Sequence, residues 1–429
     1  MVYQNNLTYA QQQDEHDELK LFRNEFLIPR HNGHDAVYLC GNSLGLQPRA
    51  AKQYLQEQLN AWEDHAVEGW FTGNQPWLSY HEGLLPSLAE LLGAQPAEIT
   101  IMNSLTVNLH LMMVSFYKPN SKRYKILMEA GAFPSDQYAV ESQLRFHGFD
   151  PQTAVIEIAP RDRELTLRTE DIIQEIEDNA DELALILFSG INYYTGQLFD
   201  MEAIAKAGHR AGAMVGFDLA HAAGNVPVKL HDWDADFACW CSYKYMNSGP
   251  GGISGAFVHQ KHFSNNTLNR FAGWWGYRRE KQFLMQPGFE AERGAQGWNV
   301  STSPILLMAV HKASLDIFEK AGGIIPLRTK ADRLTAYLEF LINDINTQVG
   351  EEVYRIITPQ DIKQRGSQLS VICKRNAKDI FNYLSDNGII GDWREPDVIR
   401  LSPVPLYNTF TDVFKAGEAL FKAIRAINL

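Results

Sequence analysis

Between residues 99 and 259, short apolar runs alternate with stretches of helical character, and this alternation limits the fold more than any other feature of the chain. Runs of strand length stand at 99–102, 125–128, 184–188, 213–217, 237–240 and 255–259, with helical stretches at 107–116, 136–146, 169–179 and 201–211. Near-continuous apolar strands interleaved with helices predict a largely parallel sheet covered on both faces, an α/β fold. In such sheets ligands gather where strands stop and helices start. The chemically suggestive residues fall at those ends: Ser104, Leu105 and Thr106, then Phe133 and Asp136, then Ser189, Asp218 and Lys244. The hydroxyl and acidic residues among them also suit helix caps, a role that leaves a phosphate seat at the same helix N-termini open.

At 429 residues the chain exceeds what one growing core accommodates, so two unequal domains are expected. Beyond residue 327 the pattern becomes a long helix, strands at 353–357 and 369–373, a helix at 377–387, strands at 389–392 and 398–402, and a closing helix from 411, a second, smaller α/β unit. Residues 1–35 read as an arm whose helix draws its apolar stripe from Leu19, Leu21, Phe22, Phe26 and Leu27. The glycine- and aromatic-rich segment between residues 265 and 304 is long for a connection, which suits a functional or subunit-contact role.

A formal charge of −12 argues against nucleic-acid or anionic-membrane partners, whose phosphates the chain would repel. The four cysteines are scattered in apolar contexts, as for reduced thiols; Cys239 and Cys241 have no matching pair downstream, so no metal site is expected. The polar first residues lack a signal pattern and no apolar run reaches transmembrane length, so a cytoplasmic protein is expected.

The densest chemistry lies in FDLAHAAGN and CSYKYMNSGPGG, which carry Asp218, His221, Tyr243 and Lys244. A lysine that attacks a carbonyl needs a partly desolvated setting, and the flanking aromatics offer one. In a pyridoxal phosphate site a carboxylate holds the ring nitrogen protonated so that the ring accepts electrons; Asp218 is the candidate, with His221 beside it. Taken singly, each residue reads as well as a turn-capping Asp, a core His or a surface Lys. The dinucleotide fingerprint G-x-G-x-x-G, the phosphate loop and H-E-x-x-H are all absent. A cofactor-free scaffold of the same fold stays as the non-enzyme alternative.

The segments GNSLGLQP, NSLTVNLH, FPSD, FSGINYYTGQ, FDLAHAAGN, CSYKYMNSGPGG, GWWG and IRLSPVPLYN, in this order between residues 38 and 412, closely resemble the kynureninase family of fold-type I pyridoxal phosphate hydrolases. The resemblance implies a large domain at 66–310 that binds the cofactor, a small domain at 311–429, and an arm at 1–65 associated with the small domain. It implies that Lys244 is the Schiff-base lysine and Tyr243 a phosphate contact and proton relay. Leu105 and Thr106 look like the phosphate-binding pair, and Phe133 like the ring that stacks on the pyridine, with Asp136, Ser189, Asp218 and His221 around its edge. Trp274 and Thr302 resemble contacts supplied by a second subunit, which implies a homodimer with a shared site. Arg400 resembles the clamp for an amino-acid carboxylate, with Asn42, Ser43 and Tyr407 near the same pocket. The implied reaction is hydrolysis of L-kynurenine to anthranilate and L-alanine. Thr302 and Trp70 stand where some relatives carry Asn and His, which leaves the 3-hydroxy substrate open. A cysteine-desulfurase-like enzyme or aminotransferase of the same fold type is the alternative.

Overall fold

The computed structural model describes residues 2–265 and 267–427; Asn266, within the long loop singled out above, and the last two residues lie outside them. Seven strands form the central sheet: β1 (Ile99–Ile101), β2 (Lys125–Glu129), β3 (Val155–Ile158), β4 (Leu183–Ser189), β5 (Met214–Asp218), β6 (Phe237–Trp240) and β7 (Gly255–Val258), in the spatial order β1-β7-β6-β5-β4-β2-β3. The run from β6 to β3 is parallel throughout, and only β7 pairs antiparallel with its neighbours. The apolar runs explain this arrangement. Along β4, Leu185 and Leu187 enter one core while Ile186 and Phe188 enter another on the opposite face, so neither face tolerates a polar residue until Ser189.

A second sheet joins β8 (Tyr354–Ile356), β9 (Leu369–Cys373), β10 (Asp392–Arg394) and β11 (Val398–Leu401) in the order β8-β9-β11-β10, all antiparallel. Its core takes Val371 and Leu401, Leu338 and Ile342 from the 26-residue helix Ile324–Val349, Leu420 from the last helix, and also Tyr9, Val37 and Leu39 from the N-terminal arm.

Two expectations change. The arm's helix is Leu7–Glu15, its start fixed by the Asn6 side chain accepting from the Tyr9 N–H at 2.8 Å. The stretch expected to be helical turns instead through Lys20–Glu25 into a strand at Phe26–Leu27 paired with Gln47–Pro48, because only Leu19 and Phe26 of its apolar residues are buried while Leu21 faces solvent. Strand β3 was not expected at all: it is the sheet's edge, and in VIEI the exposed Glu157 breaks the apolar run. Among the described residues no helix is long and apolar enough to cross a membrane.

At the end of the sheet away from the carboxyl ends of the strands, Asp236 ties several elements together. One carboxylate oxygen accepts from the Val215 N–H at 2.7 Å and faces His209 Nε2 at 3.0 Å, and the other meets His262 Nε2 at 2.7 Å and Lys261 Nζ at 3.0 Å. Burial opposes the charge, but the His209 and His262 hydrogen bonds, with Lys261, hold this carboxyl well below the ordinary range. A depressed acid stabilises the fold above its unfolded pKa, and that contribution is lost as the pH falls. Asp236→Asn is therefore expected to cost about 3–5 kcal/mol at neutral pH, read as a lowered melting temperature, with the gap to wild type closing below about pH 4.

Candidate active site

Lys244 sits in the loop after β6, and its neighbours fix the backbone that carries it. Tyr245 and Met246 are buried, the Tyr245 hydroxyl meeting Ser402 Oγ at 2.9 Å. Asn247 takes a positive φ of 50° and returns its N–H to the Lys244 carbonyl at 3.0 Å, a turn that Asn tolerates. The early GNSLG turn presses on this loop: the Gly45 N–H donates to the Tyr243 carbonyl at 2.8 Å, and a Cβ at Gly45 would overlap the Lys244 carbonyl oxygen and Asn247. Those constraints leave Tyr243 and Lys244 half-buried on the wall of a cavity of about 160 Å³.

Residues expected from distant segments converge there. Leu105 and Thr106 open the helix Leu105–Phe116, whose N-cap Ser104 makes no side-chain capping bond, so the first N–H groups of the helix are free at the cavity wall. Lys244 Nζ donates to His221 Nε2 at 3.1 Å and lies 5.9 Å from the Phe133 ring centroid. Burial, then the positive charge of Lys244, hold the His221 imidazole well below its usual pKa, so the ring is neutral; among the described residues its Nδ1 has no partner.

Two acids face each other below this group. Asp218 ends β5 and accepts the Ala220 N–H at 2.7 Å. Asp136 lies in the first turn of the helix Pro134–Phe146, and its Oδ1 has no partner among the described residues. Burial and the neighbouring Asp218 carboxylate push Asp136 well above the carboxylate range; burial also raises Asp218, with Asp136 and Lys244 opposing. The pair thus favours holding a proton, with the Lys244 charge opposing. An amine, a buried acid pair, a flat aromatic face and a free helix N-terminus in one cavity fit an aldehyde-bearing aromatic phosphate such as pyridoxal phosphate.

Other expected residues lie elsewhere in the chain. Arg400 is 1% exposed and does not line the cavity. Its guanidinium donates to the Tyr193 carbonyl at 2.6 Å, to Ser43 Oγ at 3.2 Å and to Asp392, which also takes the Ser43 hydroxyl. Asn42 is buried on Gln368 at 3.1 Å. Tyr407, expected near the substrate, is instead a core residue with ring contacts to Phe26 and Tyr38, because the chain at 404–407 turns inward against the arm. Trp274 is partly exposed, held by its indole N–H to the Gln282 carbonyl at 3.1 Å. Thr302 lines a separate apolar groove with Trp62, Val67, Trp70 and Trp77. Sequence reasoning missed Tyr193, whose ring meets Phe133 edge-on at 5.2 Å, and Glu129, which carries the strand-end signal that marked Asp218.

The protein's likenesses agree with this geometry. Residues 327–420 match the family model described as the kynureninase C-terminal domain. A kynureninase of Flavobacterium psychrophilum is 53% identical over 424 residues, covering 99% of each chain. One from Myxococcus xanthus is 51% identical, covering 98% of this chain and 97% of the relative, and one from Nematostella vectensis is 48% identical, covering 98% and 94%. Among solved structures, the cysteine desulfurase CsdA of Escherichia coli superposes with a TM-score of 0.74 over 96% of this chain and 98% of its own, and C-DES carrying a PLP-linked glycine with 0.75 over 90% and 96%. At 18% and 16% identity these two speak for the fold alone. With near-full-length relatives at about half identity and the matching C-terminal domain, the chain belongs to the kynureninase family.

Proposed function

We propose that the protein hydrolyses L-kynurenine to anthranilate and L-alanine with pyridoxal phosphate as cofactor. The observation that carries the reading is the gathering of Lys244, Asp218, Asp136 and the free start of the helix Leu105–Phe116 around one cavity, in a chain whose full-length relatives are kynureninases. Pyridoxal phosphate, when bound, supplies an aldehyde that captures the substrate amine and a ring that accepts the electron pair released at carbon.

The chain's own residues do the rest. The N–H groups of Leu105 and Thr106 hold the phosphate, Phe133 covers the ring, and Asp218 keeps the ring nitrogen protonated while Asp136 shares its charge. Lys244, when its amine is free, would remove the Cα proton as general base, and His221 beside it accepts a hydrogen bond from that amine. Water adds its oxygen to the γ-carbonyl; the Cβ–Cγ bond breaks, anthranilate leaves with that oxygen in its carboxylate, and Cβ gains a proton to become the alanine methyl. Tyr243, whose phenol burial keeps protonated, manages protons at this end.

Arg400 clamps the substrate carboxylate, exchanging its contact with Asp392 for the ligand, and Ser43 and Asn42 border that position. Two copies share the site, Trp274 and Thr302 reaching the neighbour's cofactor; the exposed Trp274 and the open apolar groove that Thr302 lines with Trp62, Val67, Trp70 and Trp77 support this. The four free cysteines, three of them buried, fit a reducing cytoplasm. They also weigh against a desulfurase reading: burial pushes the Cys373 thiol up to about 12 and Cys40 up to about 11, leaving no mobile thiolate there.

The purified protein is expected to be yellow, to release anthranilate and alanine from L-kynurenine, and to lose both colour and activity in Lys244→Ala; a colourless wild type that takes up no pyridoxal phosphate overturns the cofactor. Parallel assays with 3-hydroxy-L-kynurenine and L-cysteine separate the ring preference and the desulfurase alternative. Arg400→Lys is expected to raise KM about ten- to hundredfold with the cofactor still bound, since an ammonium cannot reproduce the paired contact. Mixing inactive Lys244→Ala subunits with inactive Trp274→Ala subunits is expected to restore activity, which separate sites would not allow.

A further inference from the structure

Strand β2 ends on Glu129, an acid that closes the apolar run ILM and is 2% exposed. Both of its carboxyl oxygens turn to one residue. The Ser189 N–H points at Oε2 at 3.3 Å and the Ser189 hydroxyl meets Oε1. Ser189 in turn ends β4, in register with Asp218 at the end of β5. Glu129, Ser189 and Asp218 therefore stand side by side on three adjacent strand ends, and of these Ser189 and Asp218 line the cavity while Glu129 lies behind it.

A buried carboxyl is a costly way to hold a serine in place, because removing an acid from water favours its neutral form. Burial pushes Glu129 up to about 7, the Ser189 hydrogen bonds opposing and the Asp218 charge adding to the rise. The protonation of Glu129 then matters for Ser189, which has one hydroxyl hydrogen. Facing a carboxylate, Ser189 donates backwards to Glu129. Facing the neutral acid, it accepts from Glu129 and its own hydrogen turns into the cavity.

We infer that Glu129 is a positioning residue for the bound cofactor: through Ser189 it decides whether a hydrogen-bond donor is presented at the ring edge. The inference rests on the reading that pyridoxal phosphate occupies the cavity. Glutamine at this place is a fixed copy of the neutral acid, its amide donating to the Ser189 oxygen and its carbonyl accepting the Ser189 N–H.

The test is the pyridoxal phosphate affinity of the full-length protein, stripped of cofactor and titrated across pH, for wild type, Glu129→Gln, Glu129→Ala, Ser189→Ala and the Glu129→Ala/Ser189→Ala double variant. Wild type and Glu129→Gln are expected to bind alike near about pH 5.5, with wild type falling behind to about tenfold weaker at about pH 8.5, the worth of one hydrogen bond. Glu129→Ala, which leaves the Ser189 hydroxyl free to turn into the cavity, is expected to bind without the wild-type fall toward higher pH, and the double variant no more weakly than Ser189→Ala. Parallel curves for wild type and Glu129→Gln, or losses from Glu129→Ala and Ser189→Ala that add in full, overturn the inference. Should Glu129→Ala not fold, the pH curve of Glu129→Gln decides. Wild type that takes up no pyridoxal phosphate removes the functional reading as well, whereas normal uptake with parallel curves removes only the role of Glu129.

Discussion

Asp218 accepts the Ala220 N–H on its carboxylate at 2.7 Å and the Gly190 N–H on its carbonyl at 2.7 Å, at the point where β5 leaves the sheet. The rest of the site depends on that fixture. The Leu219 N–H is bound to the Cys239 carbonyl of β6 at 2.8 Å, so the turn bearing His221 is pinned to the strand that leads to Lys244. A buried acid anchored by backbone cannot move away from its charge, and its cost is offset by the proton shared with Asp136, the Lys244 amine and the Ala220 N–H. The parallel run of strands makes this possible, since their carboxyl ends fall on one edge and expose their loops to a common space.

How far the sequence foretold this differs with the range of the interaction. Asp218, Ser189, Phe133, Asp136 and Lys244 were legible because each stands where an apolar run stops or a helix begins, a local signal that needs no knowledge of the partner. Glu129 bears the same mark and went unread because an acid after an apolar run also looks like the start of a solvated loop. The helix of the arm lies earlier than its apolar stripe suggests because that stripe counts Leu21, which is mostly exposed, and overlooks Tyr9, whose buried ring meets Tyr337 more than 300 residues away. Tyr407 belongs to the same class. Its core neighbours Phe26 and Tyr38 come from the opposite end of the chain, and no local pattern reports such a meeting.

The small sheet raises a question of charge. Arg400 is paired with Asp392 across β11 and β10, and Arg394 shares the same carboxylate oxygen at 3.2 Å. Two guanidinium groups on one acid leave a net positive charge, and that surplus is felt at His221, whose imidazole both arginines help to keep neutral. Removing Asp392 from this group would leave Arg400 buried and unpaired, which the fold tolerates poorly. With Asp392, the Tyr193 carbonyl and Ser43 all on its guanidinium, Arg400 is held extended and paired in the core. A group that displaced Asp392 without offering an acceptor of equal charge would leave those donors buried and unmet, a cost the ion pair now spares the fold.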